Sequence, residues 1–295
     1  MISKTTFAEI FGEDAEVFLE VFEIAVPKLN GLTIDWAEKE FHELLTQDHH
    51  EAQKQYWLEL LGRAYIAAAG TVVRQWQWVD GVCSAYEKAA YLPFAGSLRG
   101  LLESTADSMH ALQGAPLTLA KLSSHISHIL NGDKTNTFIG SDELEQALIH
   151  FTYAKKTRKS DPHPEGHRAL QTRDYIDQIK KFNPSLESLY CDLCELVHPA
   201  SNSVLWMLDA EPGAPWKIKF VADRRADFLV KELVREQKAE LMDLLLVGMN
   251  TSMTTLKVLR HFDIDEFELD FVDSINLSGV PLWMKAKAEI EKQAG

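Results

Sequence analysis

The amino-acid sequence predicts an all-α protein, a multi-helix bundle with helical extensions at both ends and one small β-hairpin near 203–221. Three observations carry this. Apolar residues recur at helical spacing over most of the chain. Proline and glycine punctuate the periodic stretches where helices would stop. Only one segment, "SVLWML" and "WKIKFV" around "DAEPGAP", reads as two short strands about a Pro-Gly turn.

The elements follow in order. Phe7, Phe11, Phe18 and Phe22 share one face of an N-terminal amphipathic helix that breaks near Gly12 and stops by Pro27 and Gly31. That stripe packs on the body of the protein or on a second subunit, and core packing is the expectation. Residues 34–48 read as helical. A long helix over 51–79 has a middle, "YIAAAGTVV", that is apolar nearly all round and so belongs at the centre. Helices are expected at 83–91, 94–113, 116–131 and 142–156, then a polar loop over 157–167. Further helices are expected at 168–181, 184–198, 224–236, 238–262 and 281–293. No internal repeat and no low-complexity linker is present. The expected organisation is a single mainly helical domain over 1–295, with a 1–32 extension, a 50–262 core and a 263–295 tail.

The chain has 295 residues, a 46% apolar fraction and a formal charge of −14. Such an acidic surface repels phosphate backbones and disfavours broad nonspecific nucleic-acid binding. One local exception is the basic segment 155–181, with Arg158, His163, His167 and Arg168 as candidates for contact with an anion or nucleic acid; the competing reading is a solvated loop running into a helix. Three cysteines fit a reducing compartment. The N-terminus lacks an apolar signal core and no run reaches the ~18 apolar residues of a membrane span. The expectation is a soluble cytoplasmic protein with no membrane partner.

Two segments carry candidate chemistry. On the helix "LPFAGSLRGLLESTADSMHALQG", Arg99, Glu103, Asp107 and His110 fall within an arc of roughly 80° opposite a leucine-rich face. They form either a solvated stripe of i,i+4 ion pairs or the lining of a polar cleft in which Glu103 holds Arg99 toward an anionic group. In "LYCDLCELVHPAS", Cys191, Cys194 and His198 share a helix face. Structural zinc needs four ligands presented by turns, whereas these cysteines lie mid-helix and only His163 and His167 are at hand to complete a set. A redox pair needs a helix N-terminus. Cysteines acting as small packed hydrophobes are therefore the preferred reading, with no metal and no cofactor. His198 sits at the helix end before Pro199, and with Tyr190 it reaches toward the same cleft as Arg99.

"LRGLLES" followed far downstream by "LYCDLCELVHPAS" resembles a family of bacterial all-helical proteins that pair an Arg-x-x-x-Glu helix with a Tyr-x-x-Leu-Ser-x-x-Val-His-Pro helix end. The chain has Cys194 where that family has serine. The family is similar in turn to the HEPN superfamily, helical bundles common in toxin–antitoxin and phage-defence systems, many of them metal-independent ribonucleases and most of them dimers. The resemblance implies a HEPN-like core, a homodimer and RNA or a nucleotide as ligand. The HEPN signature, an arginine then a histidine after four to six residues, has one match, Arg158 to His163, but Pro162 interrupts any helix there. Arg99, Glu103, Tyr190 and His198 are the preferred catalytic set, with His198 as general acid or base, Arg99 stabilising phosphorane charge and Glu103 orienting the arginine. The alternative is a non-catalytic protein, engaged with a protein partner, in which the Arg/Glu/His cluster is a buried polar network.

Overall fold

The computed structural model describes residues 2–30, 46, 48–133, 138–157, 162, 164 and 166–294. It is helical apart from one antiparallel hairpin. In chain order the helices are α1 (Lys4–Phe11), α2 (Glu16–Leu29), α3 (His49–Glu87), α4 (Tyr91–Leu112), α5 (Ala115–Lys121), α6 (Ser123–Leu130), α7 (Asp142–Tyr153), α8 (Thr172–Ile179), α9 (Ser185–Val197) and the single turn α10 (Asn202–Leu205). Strands β1 (Leu208–Glu211) and β2 (Ala214–Phe220) follow, then α11 (Ala222–Glu236), α12 (Lys238–Arg260) and α13 (Pro281–Ala294). Packing divides the chain into two units, one of residues 1–23, 74–106 and 172–247, the other of residues 24–73, 107–171 and 248–295.

In the first unit the phenylalanine stripe is core. Ser3 caps α1 through Thr6, and Gly12, at φ 102°, ends it. That conformation favours glycine, and it turns the chain so that Phe7, Phe11, Phe18 and Phe22 all stay buried. Phe22 packs on Trp76 with ring centroids 5.5 Å apart. The apolar face of α4, with Phe94, Leu98, Leu101 and Leu102, is fully buried, as are Leu186, Leu189 and Leu193 of α9. Polar groups in and beside the core are joined by hydrogen bonds: buried Gln75 Nε2 donates to Thr105 Oγ1 at 3.2 Å, and half-buried Asn183 Nδ2 to Asp243 at 2.6 Å.

In the second unit the N-terminal part of α3 supplies Trp57, Leu61, Tyr65 and Ala68 to the core. Trp57 Nε1 donates to the Ile139 carbonyl at 3.1 Å, and Tyr65 stacks on Phe267 at 4.7 Å. Helix α13 packs along α5. Lys257 donates to the carbonyls of Val272 and Ile275 at 3.2 and 2.7 Å, closing the chain reversal after α12.

Three expectations are corrected. The helices expected at 51–79 and 83–91 are one helix, α3, which ends at Glu87 before the turn of Lys88 and Ala89, the latter at φ 49°. The helix continues through Gly81; a Cβ there would lie 3.0 Å from Ser97 Oγ, so the glycine permits close approach of α4. The helix expected at 116–131 is divided at Leu122 into α5 and α6. "SVLW" forms the turn of α10, and the first strand is "LDAE" instead, because the ladder runs Leu208↔Phe220 and Ala210↔Ile218. The helix expected over 34–48 lies almost wholly outside the described residues.

Removing a filled core position leaves a cavity that neighbours close only partly. Leu98→Ala, at a fully buried site on α4, is expected to destabilise the protein by about 2–5 kcal/mol. Val17→Ala, at a position 51% exposed, is expected to stay within about 0.5 kcal/mol. Urea unfolding of the two variants checks the contrast.

Candidate functional site

Sequence local to α9 explains where His198 points. Proline disfavours helical backbone at the residue before it. Pro199 therefore ends the helix at Val197 and leaves His198 extended at φ −82° and ψ 161°, its N–H still donating to the Cys194 carbonyl at 2.9 Å. The imidazole leaves the helical spiral and is exposed.

It meets Arg99 of α4. Arg99 Nη1 lies 2.9 Å from His198 Nε2. Arg99 Nε donates to Glu103 Oε1 at 2.9 Å and Nη2 lies 2.9 Å from the same oxygen. The guanidinium carbon is 5.8 Å from the centroid of the Tyr190 ring. The four residues of the preferred set are thus brought together within the first unit. Arg99 is the covered member, with its side chain 17% exposed, and Glu103 is 33% exposed.

Arginine has donors and no acceptor. In this geometry Nε2 of His198 is therefore the acceptor, and the neutral ring carries its proton on Nδ1. Burial alone would lower Arg99, but the charge and hydrogen bond of Glu103 more than offset it, so its pKa is raised. Tyr190 is pushed up to about 12, first by burial, then by its hydrogen bond with Cys194 and by negative charge there and at Glu103, against the opposing pull of Arg99. The site thus holds a permanent cation, its counterion, a protonated phenol and a neutral imidazole.

A close approach beside the site seats Arg99. Next to it in sequence, Gly100 lies under the Trp78 indole, where a Cβ would come within 2.6 Å of the ring.

The second candidate set is not assembled in the same way. Arg158 and His163 lie outside the described residues. His167 and Arg168 belong to the second unit. There the His167 ring stacks on Tyr153 at 5.0 Å and Arg168 is exposed beside Lys155. Among the described residues no group of three or more His, Cys, Asp or Glu is placed to share a metal ion. The packed reading of Cys191 and Cys194 is corrected; the buried cysteine is Cys83, whose thiol burial pushes up to about 12. Cys191 is exposed and Cys194 half-buried, since their helix face carries the polar site rather than the core.

Sequence reasoning missed Arg63, a buried residue of α3 in the second unit. It pairs with Glu59 four residues earlier, and its guanidinium lies 5.0 Å over the Tyr153 ring. The available signal was a single arginine with a glutamate at i−4 inside the otherwise apolar "ELLGRAYIAAAG". It also missed the meeting of His110 with buried His150, whose rings are 5.1 Å apart. Burial, then His150, lowers the pKa of His110.

No protein-family model, curated protein or solved structure matches the chain.

Two outcomes test the geometry of the site. Nitrogen-detected NMR of His198 at neutral pH is expected to show the Nδ1-protonated tautomer, and the Nε2-protonated form would refute the Arg99 contact. The raised pKa of Tyr190 favours the protonated phenol in the folded state. Its contribution to stability is complete below the ordinary tyrosine value of about 10 and fades as pH rises through about 12. Tyr190→Phe is expected to remove one ionisation near about 12 from the alkaline absorbance titration.

Proposed function

We propose that this is a HEPN-like helical protein whose Arg99, Glu103, Tyr190 and His198 bind a phosphate-bearing ligand, RNA or a nucleotide, with metal-independent cleavage of RNA as the reaction. The observation that carries this reading is the 2.9 Å contact between a guanidinium held by Glu103 and an exposed imidazole. The resemblance of "LRGLLES" and "LYCDLCELVHPAS" to HEPN-like proteins supports it and gives it a defence or toxin–antitoxin setting. A phosphate oxygen is a stronger acceptor than neutral imidazole. On arrival it takes over the Arg99 Nη1 donor and frees His198 Nε2 as a base.

Nε2 then accepts the proton of a ribose 2′-hydroxyl, and the 2′-oxygen attacks the adjacent phosphorus. The P–O5′ bond breaks, the departing oxygen takes the proton back from the imidazolium, and the products are a 2′,3′-cyclic phosphate and a 5′-hydroxyl. Arg99 stabilises the charge that gathers on the phosphorane oxygens. The net charge of −14 makes binding depend on these local contacts rather than on the general field.

A specific observation favours a second reading. Glu103 already neutralises Arg99 through two nitrogens, and the arginine side chain is 17% exposed. On that reading the cluster is a polar network that fixes the register of α4 against the end of α9, and the protein acts through a protein partner.

Fluorescence anisotropy with a labelled single-stranded oligouridylate, alongside a nucleotide-binding assay and a cleavage gel, separates the two. Loss of one charge-assisted contact is worth about 1.5–3 kcal/mol. Arg99→Ala is therefore expected to weaken binding roughly 10- to 100-fold, and His198→Ala to abolish cyclic-phosphate product while the fold is retained. Binding by neither RNA nor nucleotide, with His198→Ala lowering only the unfolding midpoint, would overturn the first reading and leave the second.

A further inference from the structure

We infer that the hairpin of the first unit is a self-association surface whose occupant is the hairpin of a second copy of this chain. The register places Leu208 opposite Phe220 and Ala210 opposite Ile218, so these four side chains share one face of the ribbon. Asp209 opposite Lys219 lies on the other face, and Lys217 reaches Glu211 at 3.7 Å. One face is thus charged and paired with itself, suited to water, while the other is apolar. Leu208 is half-buried, yet on the opposing strand Phe220 is 72% exposed, Ile218 58%, and Trp216, at the irregular point of the ladder, 78%, among the most exposed large apolar side chains of the described residues.

A two-stranded ribbon alone in water is marginal and needs a hydrophobic cover. Exposed apolar residues scattered singly need no explanation, but a contiguous group of this size marks an interface. The charges on the hairpin say what kind of cover fits. Asp209 and Glu211 balance Lys217 and Lys219, so nothing there selects a strongly charged partner, and two copies meet without local like-charge repulsion. An isologous pair stacks identical apolar faces about 10 Å apart as two layers of a small sandwich, with both charged faces outward.

Area sets the strength. Trp216, Ile218 and Phe220 together offer on the order of 450 Å² per copy, or ~900 Å² for the pair. That is the lower limit of a specific interface, so the dimer is concentration-dependent.

Sedimentation velocity of the full chain across roughly 1–100 µM, the range for an interface of this size, is the test. The wild type is expected to pass from monomer to dimer. The double variant Trp216→Ser/Phe220→Ser, with an unchanged helical circular dichroism spectrum, is expected to associate at least about tenfold more weakly, a loss of ~1.4 kcal/mol. Ala210→Glu, which puts one charge on the same face at an already exposed position, is expected to do likewise and serves if the double variant does not fold. A wild type that stays monomeric throughout overturns the inference, as does a dimer that Ala210→Glu leaves as strong as before.

Discussion

A 39-residue helix with alanine, valine, leucine and tryptophan on nearly every side is stable only if neighbours cover it all round. That requirement shapes both units. In the second, α3 gives Trp57, Leu61, Tyr65 and Ala68 to the core; in the first, it gives Val79, Val82 and Cys83. The same burial obliges its polar side chains to find protein partners. Thr71 donates to its own helix at the Ala67 carbonyl, at 2.7 Å, and lies 2.8 Å from Ser108, and Gln75 donates to Thr105. Helix α4 runs beside it for the complementary reason, its leucine face needing cover as much as α3 needs a neighbour.

The polar stripe of α4 is what remains once that face is committed to the core. Arg99 is too covered to stand without a counterion, and Glu103, one turn on, supplies it. The pair then acts as an oriented donor rather than a free cation. What it is aimed at follows from Pro199, which turns His198 away from α9. The proton inventory of the four residues is therefore set by backbone as much as by side-chain chemistry: an arginine that only donates fixes which imidazole nitrogen is bare.

Much of this was legible in the sequence, for definable reasons. Helix existence followed from 3.6-residue periodicity, and the burial of the phenylalanine stripe from its regular spacing. Arg99 with Glu103 was visible because both lie on one helix, where geometry is fixed by spacing alone. Boundaries were less legible. Gly81 has the same letter whether it ends a helix or admits a neighbour, and the difference lies in Ser97, a residue far away in sequence. The hairpin was found but its first strand misplaced, because "SVLW" is apolar enough for either state and the choice is made by cross-strand pairing. The contacts between His110 and His150 and between Arg63 and Tyr153 involve separate helices, so no local pattern encodes them. The side of α9 that carries Cys191 follows the rest of the helix rather than the usual burial of thiols: Leu186, Leu189 and Leu193 take the core face and leave Cys191 exposed.

The closest fit around the site involves no polar atom at all. Trp78 lies flat over the bare backbone of Gly100, and that gap sets how near α4 comes to α3 at the point where Arg99 emerges. A single methyl group added there would have to move a bulky ring or tilt the helix, carrying the guanidinium with it. The aim of the cation is therefore held by a missing side chain next door, and in evolution or design that absence constrains the chemistry as firmly as the charged residues do.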